Sequence, residues 1–181
     1  MTMQARARAL LVLALAAAAM AAGESVRGQE AWHTLTDVEH GFTVELPAAP
    51  KYQPTELRTG AGALYTMHRY VLAEVDHAYV VETTTYPSEV DVATPRANLQ
   101  GGLDSAAKQM DAGKWASIDF LTHQGFPAVN AMGVRRDNAI RCFAVLKGRQ
   151  FISLSYAGPL GSAQGPAVER FVGSLKFAKS P

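Results

Sequence analysis

The residues best suited to hold a metal ion or to move a proton are five histidines, His33, His40, His68, His77 and His123. Zinc sites written into local sequence place two ligands about three to five residues apart, so that one helix turn or one loop presents both to the ion. No two of the five histidines stand in such a pattern. The densest group of potential ligands is Glu74-Val75-Asp76-His77. In an extended chain Glu74 and Asp76 point to one side and His77 to the other, and the composition is that of a solvated hairpin turn. Zinc there needs third and fourth ligands from elsewhere in the chain, so no metal and no cofactor is assigned.

Covalent catalysis has no better footing. The glycine-flanked serine elbow Gly-x-Ser-x-Gly is absent, and Gly161-Ser162 and Gly173-Ser174 read as capping or spacing pairs. Cys142 is the single cysteine, which excludes an intrachain disulfide. It alternates with Ile140, Ala144 and Leu146, as a buried thiol acting as a small apolar residue does. A nucleophile would need a neighbouring base and exposure. Gly101-Gly102 lacks the strand-to-helix context and third glycine of a dinucleotide site, and no local pair of carboxylates points to acid–base work. No catalytic residue is assigned, and a non-enzymatic role is the expectation.

Arg135, Arg141, Lys147 and Arg149 make one stretch locally basic and are the candidate surface for an anion or a partner. Arg141 and Arg149 carry the planar fork that recognises carboxylate or phosphate. A solvated sheet face with basic hairpin tips gives the same pattern without function. Tyr65, Tyr70, Tyr79, Tyr86 and Tyr156 either fill the core or line a groove between sheet and helix, core being the default for half-buried strands.

The elements that must position these groups belong to a chain of 181 residues with 48% apolar and 18% charged residues, enough to bury a core. Arg6 and Arg8 precede the unbroken apolar run from Ala9 to Ala22, and Ala19-Met20-Ala21 supplies the small-x-small pattern of a cleavage site. That run is shorter than the roughly 20 apolar residues of a membrane span. No cysteine near it permits lipoprotein acylation, and Arg6-Ala7-Arg8 is not a twin-arginine pair. Residues 1–22 are therefore read as a secretory signal peptide and residues 23–40 as a polar lead-in. Residues 41–178 are read as a single domain, periplasmic or secreted by the general route. Without Arg6 and Arg8 the basic residues number 15 against 16 acidic, which excludes nucleic acid or an anionic membrane surface as the obvious partner.

Strict alternation marks Phe42 to Leu46 as a strand stopped by Pro47. An edge-like strand is expected over Tyr52 to Leu57, weakened by Pro54, then an antiparallel pair over Ala63 to Leu72 and Ala78 to Tyr86. Thr94-Pro95 opens a helix with Thr94 as N-cap; Leu99, Leu103, Ala106 and Met110 share one face, and Gly113 is placed as its C-terminal cap. Four strands follow as a meander, Trp115–His123, Ala128–Arg136, Ala139–Lys147 and Gln150–Tyr156. Pro166 starts a last helix with Val168, Phe171, Val172 and Leu175 on its apolar face, and Phe177 docks its end. Strands, a helix, more strands and a closing helix indicate α+β: one twisted antiparallel sheet flanked by helices.

Several pieces in order resemble the PsbP-like superfamily, an α-β-α sandwich. They are Gly41-Phe42-Thr43-Val44-Glu45-Leu46-Pro47 with Pro50, the helix Leu99 to Met110, and the turn Gly125-Phe126-Pro127-Ala128. The hairpin Lys147-Gly148-Arg149-Gln150-Phe151 and the ending from Arg170 to Phe177 complete the set. The superfamily includes the extrinsic PsbP protein of photosystem II, Mog-type Ran-binding proteins and small exported bacterial proteins. The resemblance implies the sandwich but brings no catalytic motif, and fold does not settle function. The expected role is an exported accessory domain binding an unknown protein or envelope component, with no nucleic acid and no stable membrane span after leader cleavage. The alternative is a small-molecule or anion binder, or a hydrolase, with a pocket between sheet and helix.

Overall fold

The computed structural model describes residues 31–178; residues 1–22, expected to be a signal peptide, and the first part of the expected lead-in lie outside the described residues. The first strand, β1 (His33–Asp37), falls in the lead-in and pairs antiparallel with β2 (Phe42–Leu46) across the turn that holds Gly41 at φ +64°. Pro54 divides the expected edge strand into β3 (Lys51–Tyr52) and β4 (Thr55–Arg58), because proline cannot donate to a ladder. Both lie along β5 (Leu64–Ala73), which turns back as β6 (Ala78–Thr85).

After helix α1 (Pro95–Ala107) comes the meander β7 (Ser117–His123), β8 (Phe126–Arg135), β9 (Asn138–Lys147) and β10 (Gln150–Pro159). Helix α2 (Pro166–Gly173) and the short β11 (Lys176–Phe177) close the chain. The large sheet runs β3-β5-β6-β10-β9-β8-β7, with β4 also on β5, and a second, small sheet runs β1-β2-β11. The α+β class holds. The second sheet is what the sequence reading lacked, since β1 mixes polar and apolar residues without the signature of a core strand.

Alternation along β9 sorts the core into two layers. Ile140, Cys142, Ala144 and Leu146 pack under α1 with Leu99, Leu103, Ala106 and Met110. Phe143 and Val145, on the other face, join Val168 and Phe171 of α2 and Phe42, Val44 and Leu46 of the small sheet. One helix therefore covers one face, and the second helix with the small sheet covers the other. Each fully buried Leu or Phe contributes about 1.5–3 kcal/mol. That packing is what holds α1, because Gly101 and Gly102 each cost it about 1 kcal/mol relative to Ala. The Trp115 indole N–H adds a buried bond of 2.9 Å to the Leu103 carbonyl.

Both ends of α1 differ from expectation. Thr94 occupies the N-cap position but its hydroxyl makes no capping bond. The helix ends at Ala107, and Gly113, at φ +65°, belongs to a separate short turn. Met110 is the reason: it leaves the helix with extended backbone and still reaches the core, where its sulfur lies against Gly133. The β8–β9 turn is Arg136-Asp137, with Arg136 at φ +55°, since Asn138 is already paired with Arg135.

Gly158 shows how tightly β10 is packed. A methyl group there would collide with the hydroxyl and ring of Tyr156, two residues earlier on the same face. Gly158→Ala is expected to lose about 1–3 kcal/mol by overpacking, read as a lowered urea midpoint with an unchanged m value.

Candidate functional site

The turn between β1 and β2 carries Asp37-Val38-Glu39-His40, and the fold presses it against β5 of the large sheet. Asp37 is held at both oxygens. Oδ1 accepts from the His40 backbone N–H at 2.9 Å, and Oδ2 lies 2.9 Å from His40 Nδ1 and accepts from the Tyr70 hydroxyl at 3.0 Å. Burial, with the Asp37 carboxylate next in importance, pushes the Tyr70 hydroxyl well above its ordinary pKa, so it stays a donor. The His40 carbonyl accepts from Gln150 at 2.6 Å, which ties the turn to β10.

On β5, His68 lies on the same face as Tyr70 and Leu72, toward the small sheet. Its ring meets that of His40 edge-on, 4.6 Å between centroids. Its Nδ1 is 2.8 Å from the hydroxyl of Tyr52 on β3, and Tyr52 packs in turn on Tyr70, 5.1 Å between centroids. Glu39, exposed at the lip, brings its carboxylate to this pair. One ligating atom each from Glu39, His40 and His68 lies within 4.8 Å of the other two. Among the described residues this is the one group of three potential ligands so gathered. Along the same turn, a groove of about 240 Å³ is lined by Thr36, Asp37, Val38, Phe42, Lys176 and Phe177.

The four basic candidates do not converge. Arg141 is buried on the α2 side, where its guanidinium donates to Glu169 at 2.5 and 3.3 Å, to Asn130 at 3.0 Å and to the Ala163 carbonyl at 3.3 Å. Arg149 donates to the carbonyls of Tyr86 and Val90, both at 2.9 Å, and so fastens the segment before α1. Lys147 lies over Phe177 and Phe126, 5.1 and 5.7 Å from the ring centres. Arg135 pairs with Asn138 on the opposite, α1-facing side. The cations of Arg141, Lys147 and Arg149 are taken up by these contacts, and the four residues do not gather into one basic patch.

The remaining candidates lie in turns, in the core or at a helix end. Glu74 to His77 forms the β5–β6 turn, with Asp76 2.6 Å from His77 and its carboxyl pKa lowered by that bond. Cys142 is fully buried and burial pushes its thiol up to about 12. Ser162 is engaged with Tyr156 and Pro159, and Ser174 caps α2 while accepting from the Glu45 N–H. The space between α1 and the sheet, where the alternative reading puts a pocket, is filled by the buried side chains described above.

No family model matches the chain and no curated protein matches it in sequence. Among solved structures, cyanobacterial PsbP (CyanoP) from Synechocystis sp. PCC 6803 superposes at a TM-score of 0.52, with 12% identity, over 86% of this chain and 98% of that one. The fold is PsbP-like. A protein of unknown function from Pseudomonas aeruginosa is also similar, at a TM-score of 0.37 and 12% identity over 73% of this chain and 85% of that one. In this chain the β1–β2 turn, β3 and β5 lie side by side. No described helix is long and apolar enough to cross a membrane.

Proposed function

We propose that the chain is the precursor of an exported, non-enzymatic accessory domain whose binding site is the junction between the two sheets. The observation that carries this reading is the convergence of Glu39, His40 and His68 at one edge, with Asp37 and Tyr70 behind them and half-exposed Tyr52 beside His68. Side chains fixed from behind by hydrogen bonds lose little freedom on meeting a ligand, which favours binding. Export is supported by the leader of Arg6, Arg8 and the run Ala9 to Ala22.

Expression of the full precursor in a bacterial host tests this, with a photo-crosslinking residue at Val38, which is 86% exposed beside the junction. The expected result is a product of about 160 residues in the periplasmic fraction, joined to an envelope component from Val38. The same label at Val75, 75% exposed on the β5–β6 turn, should capture nothing. An uncleaved cytosolic product, or equal labelling from both turns, overturns the proposal.

A further inference from the structure

The geometry points to one divalent transition ion, zinc or copper(II), bound at the junction by Nε2 of His40, Nε2 of His68 and a carboxylate oxygen of Glu39. This rests on the junction being the binding site and names its ligand. Both rings already have Nδ1 engaged, His40 with Asp37 at 2.9 Å and His68 with the Tyr52 oxygen at 2.8 Å. A carboxylate on Nδ1 holds the proton there and turns the Nε2 lone pair outward, the outer-sphere arrangement that metal-binding histidines commonly have. His68 completes the same pattern when its Nδ1–H donates to Tyr52. Nε2 of neither ring has a hydrogen-bond partner among the described residues.

The donor set selects the ion. Two imidazole nitrogens and one carboxylate oxygen suit zinc and copper(II), whereas calcium and magnesium want oxygen ligands throughout. Around a tetrahedral ion at about 2.0–2.1 Å, ligand atoms stand about 3.4 Å apart. The group here spans up to 4.8 Å. His40 and His68 are braced from behind, so exposed Glu39 is the residue that closes the gap by changing rotamer. Three protein ligands leave one coordination position to water. A purely structural role for the cluster explains the Asp37–His40–Tyr70 bonds, but not a third ligand at the lip or a second histidine buttressed by Tyr52.

The test is calorimetric titration of the chelator-stripped mature protein with zinc chloride and with copper chloride. One ion per chain is expected, copper tighter than zinc. His68→Ala should weaken binding by about 100-fold or more, and Tyr52→Phe by about 10-fold, as loss of outer-sphere partners does. Glu39→Gln, at an exposed position, keeps the fold and should also weaken binding at least about 10-fold. Asp76→Ala, in the turn of like composition, should change nothing. Bound copper(II) should show splitting from two imidazole nitrogens. Absence of binding in a protein with native circular dichroism overturns the inference, as does affinity untouched in His68→Ala or lost in Asp76→Ala. A domain that is exported and captured from Val38 but takes neither ion leaves the functional reading standing without this one; a metal-binding domain that stays in the cytosol does the reverse.

Discussion

Arg69→Met should cost about 3–5 kcal/mol at neutral pH, and nearly all of that cost should vanish in acid. Arg69 on β5 stands opposite Glu82 on β6, which is 2% exposed. The guanidinium reaches Glu82 Oε1 at 2.8 Å from Nε and 2.6 Å from Nη2, and Ser153 donates to Oε2 at 3.4 Å. Burial still wins over these partners and raises the Glu82 pKa above its ordinary value of 4.5. The folded state therefore holds this proton more tightly than the unfolded chain. Its contribution is complete below the unfolded pKa and is lost as pH rises through the folded one. Arg69 limits that loss in the native protein. Methionine keeps the packing of the stem but leaves the carboxylate alone and raises its folded pKa further, so the deficit should grow by about 1.4 kcal/mol per pH unit from the native protein's folded value up to the variant's. Denaturant midpoints at pH 8 and pH 5 measure it. A deficit independent of pH would mean that the loss is packing and not charge.

How much of this was readable in the sequence follows from the range of each interaction. The helices and the main strands were legible because period and punctuation are local: Pro95 and Pro166 open the two helices, and Val168, Phe171, Val172 and Leu175 all prove buried. The buried thiol was legible from alternation alone. The junction was not. Asp37-Val38-Glu39-His40 and Glu74-Val75-Asp76-His77 have the same composition, and in sequence they are equivalent turns. Only the pairing of β3 with β5, and the seating of the small sheet on the large one, bring Tyr52 and His68 to the first and leave the second in solvent. The scattering of the basic stretch has the complementary cause. Charge is visible in sequence, but the partners that absorb it, Glu169 for Arg141 and two carbonyls for Arg149, come from distant segments.

Phe171→Ala should cost about 3–5 kcal/mol, the usual penalty for emptying a fully buried aromatic site and a large share of the roughly 5–15 kcal/mol that holds a domain folded. Phe171 is 0% exposed and meets Tyr79 of β6 edge-on, 5.1 Å between centroids. Helix α2 spans only Pro166–Gly173, too short to persist alone, so its apolar face is what keeps it in place. That face also seats the small sheet, since Phe171, Val168 and Leu175 share one cluster with Phe42, Val44 and Leu46. The cavity should therefore loosen one layer more than the other. Amides of β1, β2 and β11 should lose more hydrogen-exchange protection than those of β9 under α1. Because Asp37, Glu39 and His40 ride on the β1–β2 turn, the same variant should blur the junction without touching any residue in it. A uniform fall in protection across both layers would show instead that the small sheet and the large one open as a single unit.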